Sequence, residues 1–237
     1  MRKHIFNEDF FENIDSEKKA YWLGFICADG YINKKGNTVG ITLDKSDENH
    51  LFKFLEDLNS VNGKIYHRFG KFNKDCKETE KAVLDLYSTK MNTDLQKLGI
   101  SISKSTTLDK IKVPEKLMNH FIRGYFDGDG CVFEYWIKYG KLKEKLSFSP
   151  GFTFVGTENF LNFIQDYLPH KVKLKFDKRA DNSYTLYFRS MKRFMEIRDY
   201  LYENASVYLD RKKEKCDKIS NLIEKSSTTI PQGSTLK

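Results

Sequence analysis

The apolar positions of this chain follow two periods, one of three to four residues and one of two, and the order of helical and strand-like stretches occurs twice. In the first occurrence Ser16 is suited to cap a helix that ends at Asp29, and Gly99 is suited to end the last helix. The stretches between them predict, in order, a hairpin over 31–43, a helix over 51–58, strands over 63–69 and 81–88, and a helix through residue 98.

The second occurrence opens at Pro114, which is suited to the first turn of a helix that ends at Asp129. The following stretches predict strands over 131–137 and 146–155, a helix over 160–167, strands over 171–176 and 183–189, and a helix over 191–201. Because the two orders match, we predict an α+β fold of two duplicated αββαββα halves related by a pseudo-twofold axis.

These boundaries predict a first half over residues 1–99, a connecting segment over 100–113 and a second half over 114–225. The connecting segment has no long Gly/Ser tract, so we expect the halves to pack rigidly against each other. Residues 226–237 are rich in Ser and Thr and are predicted to be a flexible tail.

Two nine-residue stretches, 22–30 and 122–130, stand one hundred residues apart and have the same plan. Each is an apolar helical run that ends in Asp-Gly. In each, small residues recur at i, i+4 spacing, which allows two helices to pack almost backbone to backbone. The small residues are Gly24, Ala28, Gly124 and Gly128. The repeat therefore predicts a central interface between two helices.

Asp29 and Asp129 close these two stretches, at the carboxyl ends of the predicted helices. The partial negative charge of a helix end disfavours a carboxylate unless a cation lies nearby. This cost indicates a divalent metal ion, although backbone groups or basic side chains could also satisfy the two acids.

The composition favours a polyanionic partner. Lys and Arg number 41 against 33 Asp and Glu, which gives a net charge of +8, and the pI is near 9.1. The 4 cysteines form no C-x-x-C pair and the 5 histidines have no clear ligand spacing, so a zinc site or disulfide framework is disfavoured. Without a secretory signal or long apolar segment, we expect a soluble, intracellular protein in a reducing compartment.

Alternating residues predict a basic face on the sheet of each half. Such faces can enter a major groove, but any antiparallel sheet that is solvated on one side also alternates. With the acid motifs and the net charge beside it, the alternation favours DNA contact. The candidate DNA-binding residues are Lys64, Tyr66, Arg68, Lys171, Lys173, Lys175 and Arg189.

The paired motifs resemble those of the two-motif, single-chain LAGLIDADG homing endonucleases, over roughly residues 16–215. The resemblance implies two saddle-shaped sheets that straddle the duplex and a monomer, because both interface helices are in one chain. It also implies an intron-encoded, Mg²⁺-dependent nuclease that makes a double-strand break at a long pseudo-palindromic site in double-stranded DNA, with two or three divalent ions possible.

The same resemblance implies roles for individual residues. Asp29 and Asp129 would be the catalytic metal ligands, one principally for each strand, and the backbone carbonyls of Ala28 and Gly128 would complete the coordination. Lys104 and Lys212 would be the catalytic basic residues near each scissile phosphate. Arg211 and Lys213 are competitors for the position of Lys212, and all these lysines could instead be exposed charges.

A polar, water-organising position of the family aligns with Asp44 in the first half and with Val155 in the second. Since valine cannot orient water, either the alignment slips or the two cleavage centres differ. Asp127 matches Cys27 in the other half, so we interpret Asp127 as structural or as a residue that supports the metal ligands from behind.

A different functional class remains open from the sequence. The chain could be a catalytically silent nucleic-acid binder, such as an intron RNA maturase or a transcriptional regulator. Retention of both aspartates favours cleavage. With Met at its start and no terminal His-Asn, the sequence also favours a free-standing protein over an intact intein.

Overall fold

The computed structural model describes residues 4–70, 78–139, 145–178 and 181–228 of the chain. The first half begins with α1, which Ser16 caps by accepting a hydrogen bond from the Lys19 amide. Its elements are α1 Glu17–Asp29, β1 Gly30–Ile32, β2 Thr38–Asp44, α2 Glu48–Asp57, β3 Tyr66–Gly70, β4 Thr79–Tyr87 and α3 Thr89–Leu98.

The connecting segment contains one short helix, α4 Lys104–Thr107. The second half then repeats the order of the first with α5 Met118–Asp129, β5 Gly130–Tyr139, β6 Lys145–Gly156, α6 Glu158–Gln165, β7 Lys175–Phe176, β8 Tyr184–Arg189 and α7 Met191–Tyr202. A final helix, α8 Asp210–Thr228, follows. The predicted order αββαββα is therefore confirmed in both halves.

Each half contains a four-stranded antiparallel sheet with the same topology. The strand orders are β1-β2-β4-β3 and β5-β6-β8-β7. The registers also agree, because Gly30 pairs with Ile41 in the first sheet and Gly130 pairs with Phe154 in the second. The structure confirms the predicted α+β class and its internal duplication.

The two halves meet where α1 packs against α5 with their backbones almost in contact. A Cβ atom on Gly24 would lie 2.0 Å from the Phe121 carbonyl oxygen, and one on Gly124 would lie 1.9 Å from that of Tyr21. Tyr21 and Phe121 are themselves one hundred residues apart, so the two contacts are reciprocal. The predicted close approach of the helices at their small residues is confirmed.

Gly30 and Gly130 end the two central helices for a steric reason. Gly30 and Gly130 are the C-terminal caps of these helices, a position that often takes a left-handed backbone, but their φ angles are −78° and −93°. A Cβ on Gly30 would lie 2.7 Å from Ile26, and one on Gly130 would lie 2.1 Å from the Phe126 ring. These glycines therefore let the strand leave each helix across its last turn.

The core is continuous across the central interface and is rich in aromatic side chains. Trp22, Phe25, Tyr125 and Phe126 are all buried, as expected for packing residues. All nine residues from 20 to 28 of α1 are buried, although α1 has 13 residues in total. No helix in the described ranges is long and apolar enough to cross a membrane.

The structure differs from the sequence-based prediction at several elements. The helix expected to open at Pro114 begins at Met118, after a 3-10 turn over Glu115–Leu117, and the strand expected over 63–69 begins at Tyr66. The strand expected over 171–176 is reduced to Lys175–Phe176. Helices α4 and α8 were not predicted, and α8 extends to Thr228, so the first three residues of the expected tail are helical. The rest of that tail, residues 229–237, lies outside the described residues.

Candidate active site and nucleic-acid interface

Asp29 and Asp129 lie together at the carboxyl ends of α1 and α5, where the central interface reaches the surface. Burial and the neighbouring Asp129 carboxylate raise the pKa of Asp29 to about 6. Burial also raises the pKa of Asp129, while Lys104 and Lys212 act in the opposite direction. Burial thus disfavours the ionised form of both acids, and the second carboxylate adds to this effect at Asp29.

Lys104 and Lys212 both reach the ends of these helices. The Lys212 ammonium donates to the carbonyl oxygens of Phe126, Gly128 and Gly130, at 2.6, 3.0 and 2.7 Å. The Lys104 ammonium donates to the carbonyls of Cys27, at 2.9 Å, and Ala28. Since an ammonium has three N–H groups, Lys212 uses all of them and Lys104 keeps one.

The competitors of Lys212 are engaged elsewhere. Arg211 donates to both carboxylate oxygens of Asp47 at 2.9 Å, and Lys213 pairs with Asp217 at 2.7 Å. Burial lowers the pKa of Lys212 to about 8 and also lowers that of Lys104. The two lysines are thus partly desolvated cations held against the negative ends of the two helices.

A cleft opens on each side of the acid pair, and each combines parts of both halves. The first, of about 600 Å³, contains Asp29, the strand end at Asp44 and Arg68 together with Gly128 and Arg211 of the second half. The second, of about 220 Å³, has its own lining. Asp129, Val155 and Thr157 lie there beside Ala28 and Lys104 of the first half and connecting segment. Each acid therefore faces a cleft that is completed by the other half.

The register corrects the alignment of Asp44 with Val155. Because Ile41 and Phe154 occupy the same register position, Val155 corresponds to Thr42, and Asp44 corresponds to Thr157. The Asp44 and Thr157 side chains both cap the helical turn that follows them. Asp44 accepts a hydrogen bond from the Ser46 amide, and Thr157 accepts one from the Phe160 amide. The polar-to-valine asymmetry came from an alignment that was shifted by two residues.

Asp127 is fully buried beneath the acid pair and is satisfied by three donors. It accepts hydrogen bonds from the hydroxyls of Tyr21 and Tyr202, at 2.8 and 2.9 Å, and from the Leu209 amide at 2.8 Å. The Leu209 bond fixes the turn from which α8 and Lys212 begin. These contacts support the structural role that we assigned to Asp127.

His50 extends this buried network into the first half. The Tyr21 hydroxyl gives its proton to Asp127, so His50 donates to it through Nε2, at 2.9 Å. The Nδ1 atom then has no hydrogen-bond partner among the described residues. Burial lowers the pKa of His50 to about 3, which keeps the ring neutral.

The sheet faces that lack helices are the candidate nucleic-acid surface. In the first half Tyr66 and Arg68 are exposed on this face, and Arg68 lies 3.4 Å from the Thr42 hydroxyl. Lys64 is exposed just before the strand. The alternation is incomplete, because His67 and Phe69 belong to the other face of the strand and are nevertheless exposed at this sheet edge.

In the second half the predicted face holds only two of its four basic candidates in regular strands. Lys175 and Arg189 lie on the exposed face with Tyr187. Lys171 and Lys173 precede β7 in irregular chain, and Lys171 pairs with Asp166 at 2.5 Å. The expectation that three lysines share one strand face is therefore wrong, because the strand is too short.

Several residues of the site could not be found from sequence. Asp47, Ser105, Tyr125 and Ser183 line the two clefts, yet none has a distinguishing spacing. Among the described residues no group of three or more His, Cys, Asp or Glu side chains could hold a metal ion. A cation at the aspartate pair would therefore use backbone or substrate oxygens as well.

Comparison of sequences gives limited information. No protein-family model matches the chain. It is 30% identical over 139 residues to the replication factor C small subunit of Methanocaldococcus jannaschii, a match that covers 54% of this chain and 6% of that protein. The chain thus spans a small part of this relative's length.

Comparison of structures gives matches over most of the chain. The I-LtrWI LAGLIDADG homing endonuclease bound to target DNA has a TM-score of 0.64 and 13% identity, covering 94% of this chain and 92% of its own. I-SmaMI bound to an uncleaved DNA target in the presence of calcium ions has a TM-score of 0.57 and 13% identity, and the match covers 90% of this chain and 94% of its own. The LAGLIDADG meganuclease I-AabMI bound to uncleaved DNA has a TM-score of 0.56 and 11% identity, and the match covers 87% of this chain and 91% of its own.

Proposed function

We propose that this chain, which has the fold of the LAGLIDADG homing endonucleases, is a metal-dependent DNA endonuclease that cuts both strands of a long pseudo-palindromic site. The observation that carries the proposal is the meeting of Asp29 and Asp129 at the tips of two helices, with one cleft beside each acid. The DNA in the three similar structures supports duplex DNA as the partner.

The donor atoms at the acid pair fit a hard divalent cation. Carboxylate and carbonyl oxygens are the ligands that Mg²⁺ and Ca²⁺ prefer. The carbonyls of Ala28 and Gly128 each accept a lysine hydrogen bond, and each oxygen keeps a second lone pair for a cation. Bound Mg²⁺ would supply an activated water and neutralise charge on the scissile phosphate.

The chain's own residues divide the remaining work. Asp29 and Asp129 hold the cation, one principally for each strand. The third N–H of Lys104 can donate to a phosphate oxygen, whereas Lys212, with all its protons engaged, neutralises the end of α5. Arg68, Lys175 and the other candidate residues of the two faces would contact phosphates or bases.

The test separates binding from cutting. A randomised duplex library is enriched by binding in Ca²⁺, and the enriched pool is then incubated with Mg²⁺ and its ends are sequenced. We expect discrete ends from both strands with the wild-type protein. The Asp29→Asn, Asp129→Asn double variant should bind the same sequences and give no ends, because asparagine removes the charge that holds the cation.

Asp109→Asn is the matched control, since Asp109 is exposed in the connecting segment and outside both clefts. It should cut like the wild-type protein. Specific binding without cutting in Mg²⁺ would overturn the enzymatic proposal in favour of a nucleic-acid binder. Failure of the folded protein to enrich any sequence would overturn DNA recognition as well.

A further inference from the structure

Arg189 is held on an aromatic platform at the exposed face of the second sheet. Its guanidinium lies 5.8 Å from the centroid of the Tyr135 ring and 5.7 Å from that of Tyr187. The residue is exposed, and no carboxylate in the described part of the chain forms an ion pair with it. Its charge is therefore available to a partner above the sheet.

The platform is built into the strand register. Phe133, Gly151 and Arg189 occupy one row across β5, β6 and β8. A Cβ on Gly151 would lie 2.3 Å from the Phe133 ring, so this glycine leaves room for the ring to lie across the central strand. Phe133 in turn stacks on Tyr187, with centroids 4.8 Å apart and planes at 23°.

The Arg189 guanidinium donates no hydrogen bond to a described residue, so its N–H groups are free for a partner. An arginine that lies over aromatic rings uses the faces of its planar group, while its N–H donors remain in the plane and point outward. Holding the fork in place also reduces the side-chain entropy lost on binding. On a surface that can enter a major groove, two preoriented N–H donors of one guanidinium match the spacing of the O6 and N7 acceptors of guanine.

We propose that Arg189 reads one guanine in the half-site that lies against the second sheet, an inference that rests on the proposed function. The row of Arg189 lies four residues along β6 from Val155, which lines the cleft of Asp129. At roughly 3.3 Å per residue this is about 13 Å, or about four base-pair steps at 3.4 Å each. The guanine is therefore expected about four base pairs from the cleavage position.

The preference should be confined to one half of the target. The register position of Arg189 corresponds to Tyr87 in the first sheet, because Gly151 and Thr38 occupy equivalent places on the central strands. Tyr87 is 68% exposed but has a single hydroxyl and cannot fork to two acceptors. Arg189 thus makes the two half-sites chemically different.

The experiment compares selected sequences and single-atom base changes. The wild-type protein and Arg189→Lys are used to enrich the same randomised library in Ca²⁺, and binding to the selected duplex is then measured with 7-deazaguanine at each guanine in turn. We expect Arg189→Lys to lose the guanine preference at one position. Removal of N7 at that position should weaken wild-type binding by about 5- to 150-fold and the variant's binding far less.

Two further variants make the readout specific to the platform. Tyr135→Phe keeps the ring and should keep the guanine preference, whereas Tyr135→Leu should reduce it. Arg193→Lys is the matched control, because Arg193 is exposed on α7, which packs on the opposite side of the sheet. It should leave every position unchanged, and thermal unfolding confirms that each variant is folded.

The inference and the proposed function fail in different ways. If Arg189→Lys or Arg189→Ala weakens binding equally to all sequences and lowers the salt dependence by about one ion, Arg189 contacts a phosphate and the guanine assignment is wrong. If specific cutting persists with no position that depends on Arg189, the inference also falls while the nuclease stands. If the folded wild-type protein selects no DNA, both are overturned.

Discussion

Lys104 and Lys212 carry the same charge at corresponding helix ends, but their ammonium groups are used differently. Lys212 is 5% exposed and gives all three protons to carbonyl oxygens. Lys104 gives two and lies nearer to solvent. At the residue scale, all the donors of Lys212 are therefore used inside the protein, and Lys104 retains one N–H without a protein acceptor among the described residues.

Paired substitutions test this division. Lys212→Ala should lower the free energy of unfolding by about 2–4 kcal/mol, because three carbonyls lose a charged donor in a buried place. Lys104→Ala should cost less than about 1.5 kcal/mol, since water can reach its carbonyls, but should reduce cutting strongly. Urea unfolding and single-turnover cleavage measure the two effects. Equal losses of stability would contradict the assignment.

His50 predicts a dependence of stability on pH. Above about pH 6.5 it is neutral in both the folded and the unfolded chain. Below that value the unfolded chain binds a proton that the folded chain excludes until about pH 3, so stability is lost as pH falls through this window. The loss should be about 1 kcal/mol per pH unit below pH 6.

The comparison that isolates this effect uses His50→Asn, which keeps a donor for Tyr21 and does not titrate. Its difference in unfolding free energy from the wild-type protein, measured in urea, should shrink between pH 7 and pH 5. Background titration of other groups cancels in the difference. A difference that is constant with pH would show that His50 takes up a proton as readily in the folded as in the unfolded chain and would contradict the lowered pKa.

Gly124 tests the central contact. Gly124→Ala would place a Cβ 1.9 Å from the Tyr21 carbonyl oxygen, so the two helices must separate. We expect a loss of about 3 kcal/mol or more in unfolding free energy. Gly70→Ala is the control, because its Cβ would meet nothing closer than Lys81 at 3.8 Å. Similar thermal stability of both variants would contradict the contact.

At the scale of elements, α4 and α8 bring the two lysines to the site by docking across the molecule. α4 belongs to the connecting segment but is held by the second half, where Asn182 donates to the Thr106 carbonyl at 2.8 Å. α8 belongs to the second half but begins against the first, where Lys53 bonds to Asp210 at 2.6 Å. Each lysine therefore lies on a helix that contacts both halves of the molecule.

Thr157 is a point where this docking can be broken. Its hydroxyl caps α6 and donates to the Leu108 carbonyl that follows α4. Thr157→Val removes both bonds and should lower the free energy of unfolding by about 1–3 kcal/mol. It should also reduce cutting at the cleft of Lys104 and Asp129 more than at the other cleft. Thr185→Val, on the exposed sheet face, should change stability little, and equal cutting of the two strands by Thr157→Val would contradict the docking role.

The sequence predicted the elements well where a period ran long enough. The ends of α1 agree with the prediction because a polar cap and a buried apolar run define them. The length of β7 was overestimated. The three alternating lysines fit a strand pattern, but β8 pairs only with Lys175 and Phe176 and leaves the earlier residues without a strand partner. α8 was missed because charged residues surround its sparse buried positions, Cys216, Ile219 and Ile223.

The site was predicted unevenly for a similar reason. Asp29, Asp129 and the lysines stand in local motifs, so their positions follow from short stretches of sequence. The equivalence of Asp44 and Thr157 depends on strand pairing, which the spacing along the chain conceals because the paired part of β5 and β6 is much longer than that of β1 and β2. The hydrogen bonds from Tyr21 and Leu209 to Asp127 join segments that are far apart in the sequence, so no local pattern reveals them.

At the scale of the whole molecule, one chain supplies both helices of the central interface, and each helix buries its small residues against the other. We predict a monomer of 27.9 kDa with a radius of gyration of about 18 Å. Light scattering coupled to gel filtration, followed by small-angle X-ray scattering, measures both. A stable dimer at low concentration would contradict a self-sufficient interface.

The burial of residues 20–28 of α1 also has a consequence for synthesis of the protein on the ribosome. Their partner α5 is translated about a hundred residues after them. At 5–20 residues per second this interval is roughly 5–20 s. During it the side of α1 that packs against α5 has no native cover, so the nascent first half should be a client for chaperones and a poor candidate for production alone.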